Sequence, residues 1–334
     1  MELSEIPLVA APMAGGPTTP GLVLAAEDAG AFGFLAAGYQ TPERLAEDLA
    51  AVRAHTEAFG VNLFVPETRP VDREAVLAYR ERLLPEAERA GVALPEPPWA
   101  DDDRWEAKLE LLENEPVPWV SFTFGLPGED VVERLHDAGT EVAVTVTDPA
   151  EAGAADGQGA DALVVQAAGA GGHRATHDQG ATPNDLALPD LLRGVGAATA
   201  LPLIGAGGVG TVEDVLEALG AGALAVAVGT ALLLTDEAGT KPTHRRALSE
   251  APGAATTLTR AFTGRCARAI RNEFVDRYDA GAPAGYPAVH HLTRPLRAHA
   301  AEADDLERLH LWAGTGHAEA RTGPAAEVLA GLVP

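Results

Sequence analysis

Short apolar runs, each closed by Gly, Pro, Thr or Asn and followed by residues at helical spacing, recur along the chain. Eight of them, at 6–11, 32–37, 60–64, 118–124, 141–145, 162–167, 202–206 and 224–228, read as strands. Several are continuously apolar rather than alternating, the pattern of parallel strands buried on both faces. Between them, 21–29, 41–56, 129–138, 149–155 and 211–219 carry helical periodicity. Thr211, with Glu213 and Asp214 behind it, marks a helix start whose acidic groups sit at the positive end of the dipole. Eight β–α units in about 230 residues have the size and rhythm of an α/β (β/α)8 TIM barrel over residues 1–230. An open doubly wound sheet is the competing arrangement.

Two stretches depart from this rhythm. Residues 66–115, inserted after the third strand, read as a helix pair followed by an exposed run from Pro95 to Asp103 that enters another helix at Arg104. Residues 231–334 show helical spacing with Gly and Pro breaks and no strand runs, which predicts a mainly helical cap over the barrel mouth.

In a barrel, chemistry belongs at the C-terminal ends of the strands, and small and polar residues gather there. Pro12 and Met13 end the first strand, and Asn62 lies in the third. The run Gln166-Ala167-Ala168-Gly169-Ala170-Gly171-Gly172-His173-Arg174 follows the sixth. Its glycines let backbone N–H groups approach a ligand without an intervening Cβ, and His173 can exchange a proton near neutrality. Gly207 and Gly208 end the seventh strand and Gly229 and Thr230 the eighth, the paired positions where barrels bind phosphate. A ligand cradle with an acid–base group at its edge points to an active site. Tight turns in a chain with 36 glycines, beside a solvent-facing histidine, are the plainer alternative.

The same segments carry a family resemblance. Ala11 to Gly16, Phe59 to Phe64, Val120 to Gly125, Gln166 to Arg174, Ile204 to Val209 and Val228 to Thr230 are similar to the nitronate monooxygenases, formerly 2-nitropropane dioxygenases. So are Phe262 to Arg265, Arg268 to Asn272, Tyr286-Pro287 and Leu311 to Gly314. The likeness runs in order along nearly the whole chain, with gaps mainly at 66–112 and 175–200. It implies a capped (β/α)8 barrel that binds FMN non-covalently. The implied reaction is oxidation of alkyl nitronates, such as propionate 3-nitronate, by molecular oxygen through one-electron transfer to the flavin. It further implies that Pro12 and Met13 lie beside the flavin ring and that Asn62 and Gln166 hydrogen-bond the ring or ribityl chain. Gly171, Gly172, Gly207, Gly208, Gly229 and Thr230 would hold the ribityl chain and 5′-phosphate. His173 would be the base for neutral nitroalkanes and an orienting group for nitronates. The chain departs from the family pattern at Ala167, at Gly169-Ala170 where an acidic residue is usual, at Thr123 and at Cys266. The alternative function is an FMN-dependent NAD(P)H reductase of the enoyl-acyl-carrier-protein or quinone type. From another class comes a flavin-free phosphate-binding barrel.

Composition narrows the partners. A formal charge of −25 disfavours nucleic acid and anionic membranes and sets no oligomeric state; the partners that the resemblance implies are a small-molecule nitronate or nitroalkane and molecular oxygen. An anionic substrate then needs locally positive or dipolar help. No apolar run reaches the length of a membrane span and the first residues lack a basic signal-peptide region, so a cytoplasmic location is expected. Cys266, the single cysteine, reads as a small cap or core residue. His173, His177 and Asp178 have metal-like helical spacing, but the glycines before them argue for a loop, and no metal is expected. His290 and His291 read as structural or surface residues. Arg260, Arg265, Arg268 and Arg271 read either as a salt-bridged helical face or as groups facing an anion.

Overall fold

The computed structural model describes residues 4–334. Each of the eight apolar runs holds one strand of a closed parallel barrel. These are β1 (Leu8–Ala10), β2 (Phe32–Ala36), β3 (Phe59–Phe64), β4 (Trp119–Thr123), β5 (Glu141–Val146) and β6 (Ala162–Gln166). After a short strand outside the barrel, β7 (Gly172–His173), come β8 (Leu203–Ala206) and β9 (Ala225–Val228). β1 pairs with both β2 and β9, which closes the ring and excludes the open sheet.

Alternation within the strands decides what the barrel holds. Leu35, Val61, Val120, Val144 and Val226 are buried in the layer shared with the surrounding helices. Val9, Phe34, Trp119, Ala143, Ala162 and Ile204 pack together in the interior. A Cβ at Gly60 would lie 2.4 Å from the Phe34 ring, so glycine there is what admits the phenyl group. Toward the C-terminal ends the inward set turns polar, with Asn62, Ser121, Thr123, Thr145 and Gln166 facing a cavity.

Helices α1 (Pro20–Asp28) and α2 (Pro42–Arg53) follow β1 and β2, and α3 (Arg73–Ala90) and α4 (Trp105–Asn114) lie between β3 and β4. Then come α5 (Glu129–Asp137), α6 (Pro149–Gly157), α7 (Leu188–Gly196) and α8 (Val212–Gly220). Thr19, Thr41 and Asp148 cap helices that open with proline, which has no N–H to leave unsatisfied. Thr211 and Asp214 form a reciprocal capping box, as the helix start at Thr211 predicts. Each such cap is worth about 1 kcal/mol.

The inserted segment differs from expectation. In place of a helix pair it forms one 18-residue helix, α3, which runs through Pro85. Val76, Tyr79, Leu83 and Ala87 bury one face of α3, and that packing outweighs the hydrogen bond lost at the proline. The next helix, α4, packs against α2 and α5 and buries Leu109 and Leu112 in the barrel's outer layer.

The C-terminal region comprises α9 (Pro242–Glu250), β10 (Thr256–Thr259), β11 (Ala267–Ile270), α10 (Glu273–Tyr278), α11 (Ala288–Glu302) and α12 (Ala325–Ala330). Strands β10 and β11 correct the expectation of no strands here. They are only four residues long and carry Thr and Arg, so they leave no apolar run to read. They form a three-stranded antiparallel sheet in which β11 pairs with β7, Ala267 opposite His173. Helix α11 packs on α3, while α12 packs on α1 and sends Ala325, Leu329 and Leu332 into the layer around the barrel. The chain's last turns therefore cover the barrel's side, not its mouth. Among the described residues no helix is long and apolar enough to cross a membrane.

Candidate active site

A cavity of about 880 Å³ opens at the C-terminal ends of the strands. The residues expected to bind cofactor or act as base all line it: Pro12, Met13, Asn62, Gln166, Gly171, Gly172, His173, Gly207, Gly208, Gly229 and Thr230; His177, Asp178, Arg260, Arg265, Cys266, Arg268 and Arg271 do not. The barrel ends supply its floor, and residues of α11 and the segment 309–316 line it from above.

The glycines do different jobs. Gly207 and Gly208 take φ of 104° and 84°, a left-handed pair that L side chains resist. Their N–H groups, and that of Gly229, donate to no protein acceptor among the described residues. Consecutive free donors of this kind form an anion cradle. Gly171 serves packing instead: a Cβ there would lie 2.5 Å from Gly314 N and 2.9 Å from Thr230 Oγ1. Thr230 Oγ1 accepts from Gly314 N at 3.0 Å, and Thr315 N donates to Gly169 O at 2.9 Å. The returning segment 313–316 thus clamps the loops after β6 and β9. Gly172 has open space around it and is held to glycine by its φ of 73°.

The two amides are anchored differently. Asn62 Nδ2 donates to Ser121 Oγ at 2.9 Å and Thr123 Oγ1 at 3.0 Å, which leaves Oδ1 without a protein donor among the described residues. Gln166 ties down the loop beyond it: Nε2 donates to His173 O at 3.1 Å, and Oε1 accepts from Ala175 N at 2.9 Å. One N–H and one lone pair of Gln166 remain for a ligand. Buried Arg174 donates to Ala167 O and holds the base of the same loop.

His173 sits in β7, not in an open loop, because β11 pairs with it from above. Its Nε2 lies 2.8 Å from Thr263 Oγ1, whose own proton goes to Arg265 O at 3.2 Å. Thr263 therefore accepts from Nε2–H and leaves Nδ1 as the basic nitrogen. Phe124, Tyr286 and Trp312 surround the imidazole, with ring centroids 5.8, 5.9 and 5.4 Å away. Burial, then the positive charges of Arg265 and Arg297, push the His173 pKa down to about 3. The imidazole is neutral across the physiological range, as a proton acceptor must be.

Several site residues escaped the sequence reading. Arg265 is no member of a helical face. It is buried, its guanidinium lies 4.2 Å from the centroid of Phe124, and it donates to Thr176 O at 2.7 Å. Phe124 itself takes φ of 81°, a left-handed conformation costing about 1–2 kcal/mol that aims its ring at this corner. His290 and His291 both line the cavity, and His290 stacks on Tyr39 at 4.4 Å. The polar alternation Ser121–Thr123 inside an otherwise apolar strand was a usable signal for the floor. Thr263 lies in the Phe262–Arg265 segment of the resemblance but carried no assigned role, and no local pattern marks Arg297.

The family model described as nitronate monooxygenase matches residues 1–334. The chain is 31% identical to a probable nitronate monooxygenase of Staphylococcus aureus (strain N315), across 98% of this chain and 94% of that protein. It is similar to a solved structure of the nitroalkane oxidase from Streptomyces ansochromogenes, with 43% identity, a TM-score of 0.94, and 99% and 95% of the two chains covered. FabK from Thermotoga maritima shares the fold, with a TM-score of 0.76 at 23% identity over 99% of this chain and 93% of that one.

Proposed function

The chain belongs to the nitronate monooxygenase family, and from that premise we propose that it oxidises alkyl nitronates with molecular oxygen, using His173 to orient the substrate and to deprotonate neutral nitroalkanes. As a member it is a flavin oxidoreductase whose cofactor is FMN. The cavity fits that group. The free N–H donors of Gly207, Gly208 and Gly229 suit a phosphate ester, and Asn62 Oδ1 and the spare N–H of Gln166 suit the ribityl chain or ring edge. Pro12 and Met13 would flank the ring. When bound, the flavin supplies the electron-transfer chemistry.

The protein's own part is positional and acid–base. Thr263 holds the His173 tautomer so that Nδ1 can take a proton from the carbon beside a nitro group. Phe124, Tyr286 and Trp312 wall the imidazole on its protein side and leave its cavity face to the substrate. A nitronate arrives already deprotonated, and for it His173 serves as a neutral hydrogen-bonding wall. The observation that carries this reading is His173 itself: a neutral imidazole, fixed by Thr263, above a cradle of free backbone donors.

The test is an anaerobic absorption spectrum of the purified, FMN-loaded protein before and after propionate 3-nitronate. A change in the flavin bands on adding nitronate, and none on adding NAD(P)H, supports the oxidation. Bleaching by NAD(P)H with no response to nitronate would transfer the protein to the reductases.

A further inference from the structure

Arg297, on α11, lines the cavity yet is only 8% exposed. Its Nε donates to Thr293 Oγ1 at 3.1 Å, and its Nη2 donates to His290 O at 2.7 Å and lies 3.3 Å from His290 Nδ1. The remaining terminal nitrogen, Nη1, has no partner among the described residues and is not sealed from the cavity. No carboxylate neutralises the guanidinium among those residues, although the chain has 49 acidic residues against 24 basic ones. The two carboxylates that do line the cavity are committed elsewhere: Asp101 to His291, and Asp103 to Lys108 at 2.7 Å. A buried cation without a counter-ion is costly, and a ligand that brings the missing charge recovers that cost. With Nε and Nη2 committed, the two N–H groups of Nη1 are left to make charge-assisted hydrogen bonds to an anionic oxygen.

We propose that Arg297 binds, through Nη1, an anionic oxygen of the substrate, on either the nitronate group or a carboxylate of the same molecule, and so gives the cavity its preference for anions over neutral ligands. The proposal rests on the nitronate-oxidising reading of the cavity. Arg297 is mechanically linked to the base. Thr293, which receives its Nε–H, donates to Phe262 O, and Phe262 adjoins Thr263, the partner of His173. Anion grip and base therefore share one frame within the C-terminal region. Burial lowers the Arg297 pKa to about 10, so the cation persists at neutral pH. Together with Arg104, Lys241 and Arg294, which also line the cavity, it supplies the local positive charge that an anionic substrate needs in a protein of net charge −25.

The test compares FMN-loaded wild type with Arg297→Met and Arg297→Lys. Calorimetric titration gives Kd for nitrite, propionate and uncharged propionamide; steady-state assays give KM for ethyl nitronate and propionate 3-nitronate. Arg297→Met should weaken the recognised anion about 10- to 100-fold and leave propionamide within about twofold. Arg297→Lys should recover part of the loss. Weakening of nitrite and ethyl nitronate assigns the nitronate group, whereas weakening confined to propionate and propionate 3-nitronate assigns a carboxylate. A folded Arg297→Met protein with unchanged anion affinities overturns the proposal, and so does one that loses only FMN. Should Arg297→Met not fold, unchanged anion affinities in Arg297→Lys are the overturning result. If the wild type binds anions through Arg297 but consumes no nitronate, the anion grip stands and the proposed oxidation falls.

Discussion

His173 Nε2 and Thr263 Oγ1 lie 2.8 Å apart although 90 positions separate the residues in the chain. One belongs to the loop after the sixth barrel strand and the other to the C-terminal region, and the pairing of β7 with β11 brings them together. Thr263→Val should leave Nε2–H buried and unpaired, at a cost of about 1–3 kcal/mol in stability. Turnover of neutral nitroalkanes should fall roughly 10- to 100-fold, and turnover of nitronates much less. His173→Asn should show the same asymmetry more strongly. Parallel assays with nitroethane and ethyl nitronate decide it, and equal losses on both would remove His173 as the base.

Stability should fall steeply in mild acid. Burial pushes His173 down to about 3 and His244 to about 4, and holds His290 and His310 well below the usual histidine range. In each case the unfolded chain takes a proton that the folded protein refuses. Their contribution is therefore fully present above about pH 6.5 and is lost as pH falls from there toward the folded values. The limiting slope is about 1.4 kcal/mol per pH unit for buried His244 and smaller for His173, His290 and His310, which are only half-buried where they face the cavity. Urea midpoints at pH 7.5, 6.5 and 5.5 should show a small change over the first interval and a large one over the second.

Within the range where the protein stays folded, kcat/KM for nitronates should show no acid limb near pH 6.5, because His173 is already neutral there. A limb at that pH would place the controlling proton on another group.

Adjacent glycines should respond differently to alanine. Gly171→Ala drives a Cβ into the backbone at Gly314, so it should cost about 1–3 kcal/mol and release FMN by displacing the clamp. Gly172→Ala meets no atom within 4 Å and pays only for its φ, about 1 kcal/mol, with FMN retained. Flavin-to-protein absorbance ratios after gel filtration separate the two.

Buried Lys108 pairs with half-buried Asp103, which also accepts from Tyr39 N at 3.0 Å, and Lys108 Nζ donates as well to Ala37 O at 2.9 Å. Burial raises the Asp103 carboxyl and lowers the Lys108 amine, so the pair barely repays its desolvation. Lys108→Met should cost about 1–3 kcal/mol by removing the cation from the half-buried carboxylate. Adding Asp103→Asn should recover a good part of that loss, as denaturant midpoints of the single and double variants would show.

Apolar runs separated by helical spacing determined the eight-stranded barrel, because the burial of a parallel strand is a local property of its own residues. The rule that chemistry gathers at strand ends then brought Asn62, Gln166, His173 and the glycine loops to one cavity. Strands β10 and β11 had no such signature, since they are short, polar and dependent on β7 for a partner. Likewise, a glycine run states that side chains are absent, not why. Only the folded chain shows that Gly207 and Gly208 free backbone donors while Gly171 makes room for Gly314. The Thr263 contact that orients His173, the missing counter-ion of Arg297 and the aromatic wall of Phe124, Tyr286 and Trp312 were decided by tertiary structure alone. They arise between residues far apart in sequence, where neither periodicity nor spacing records who meets whom.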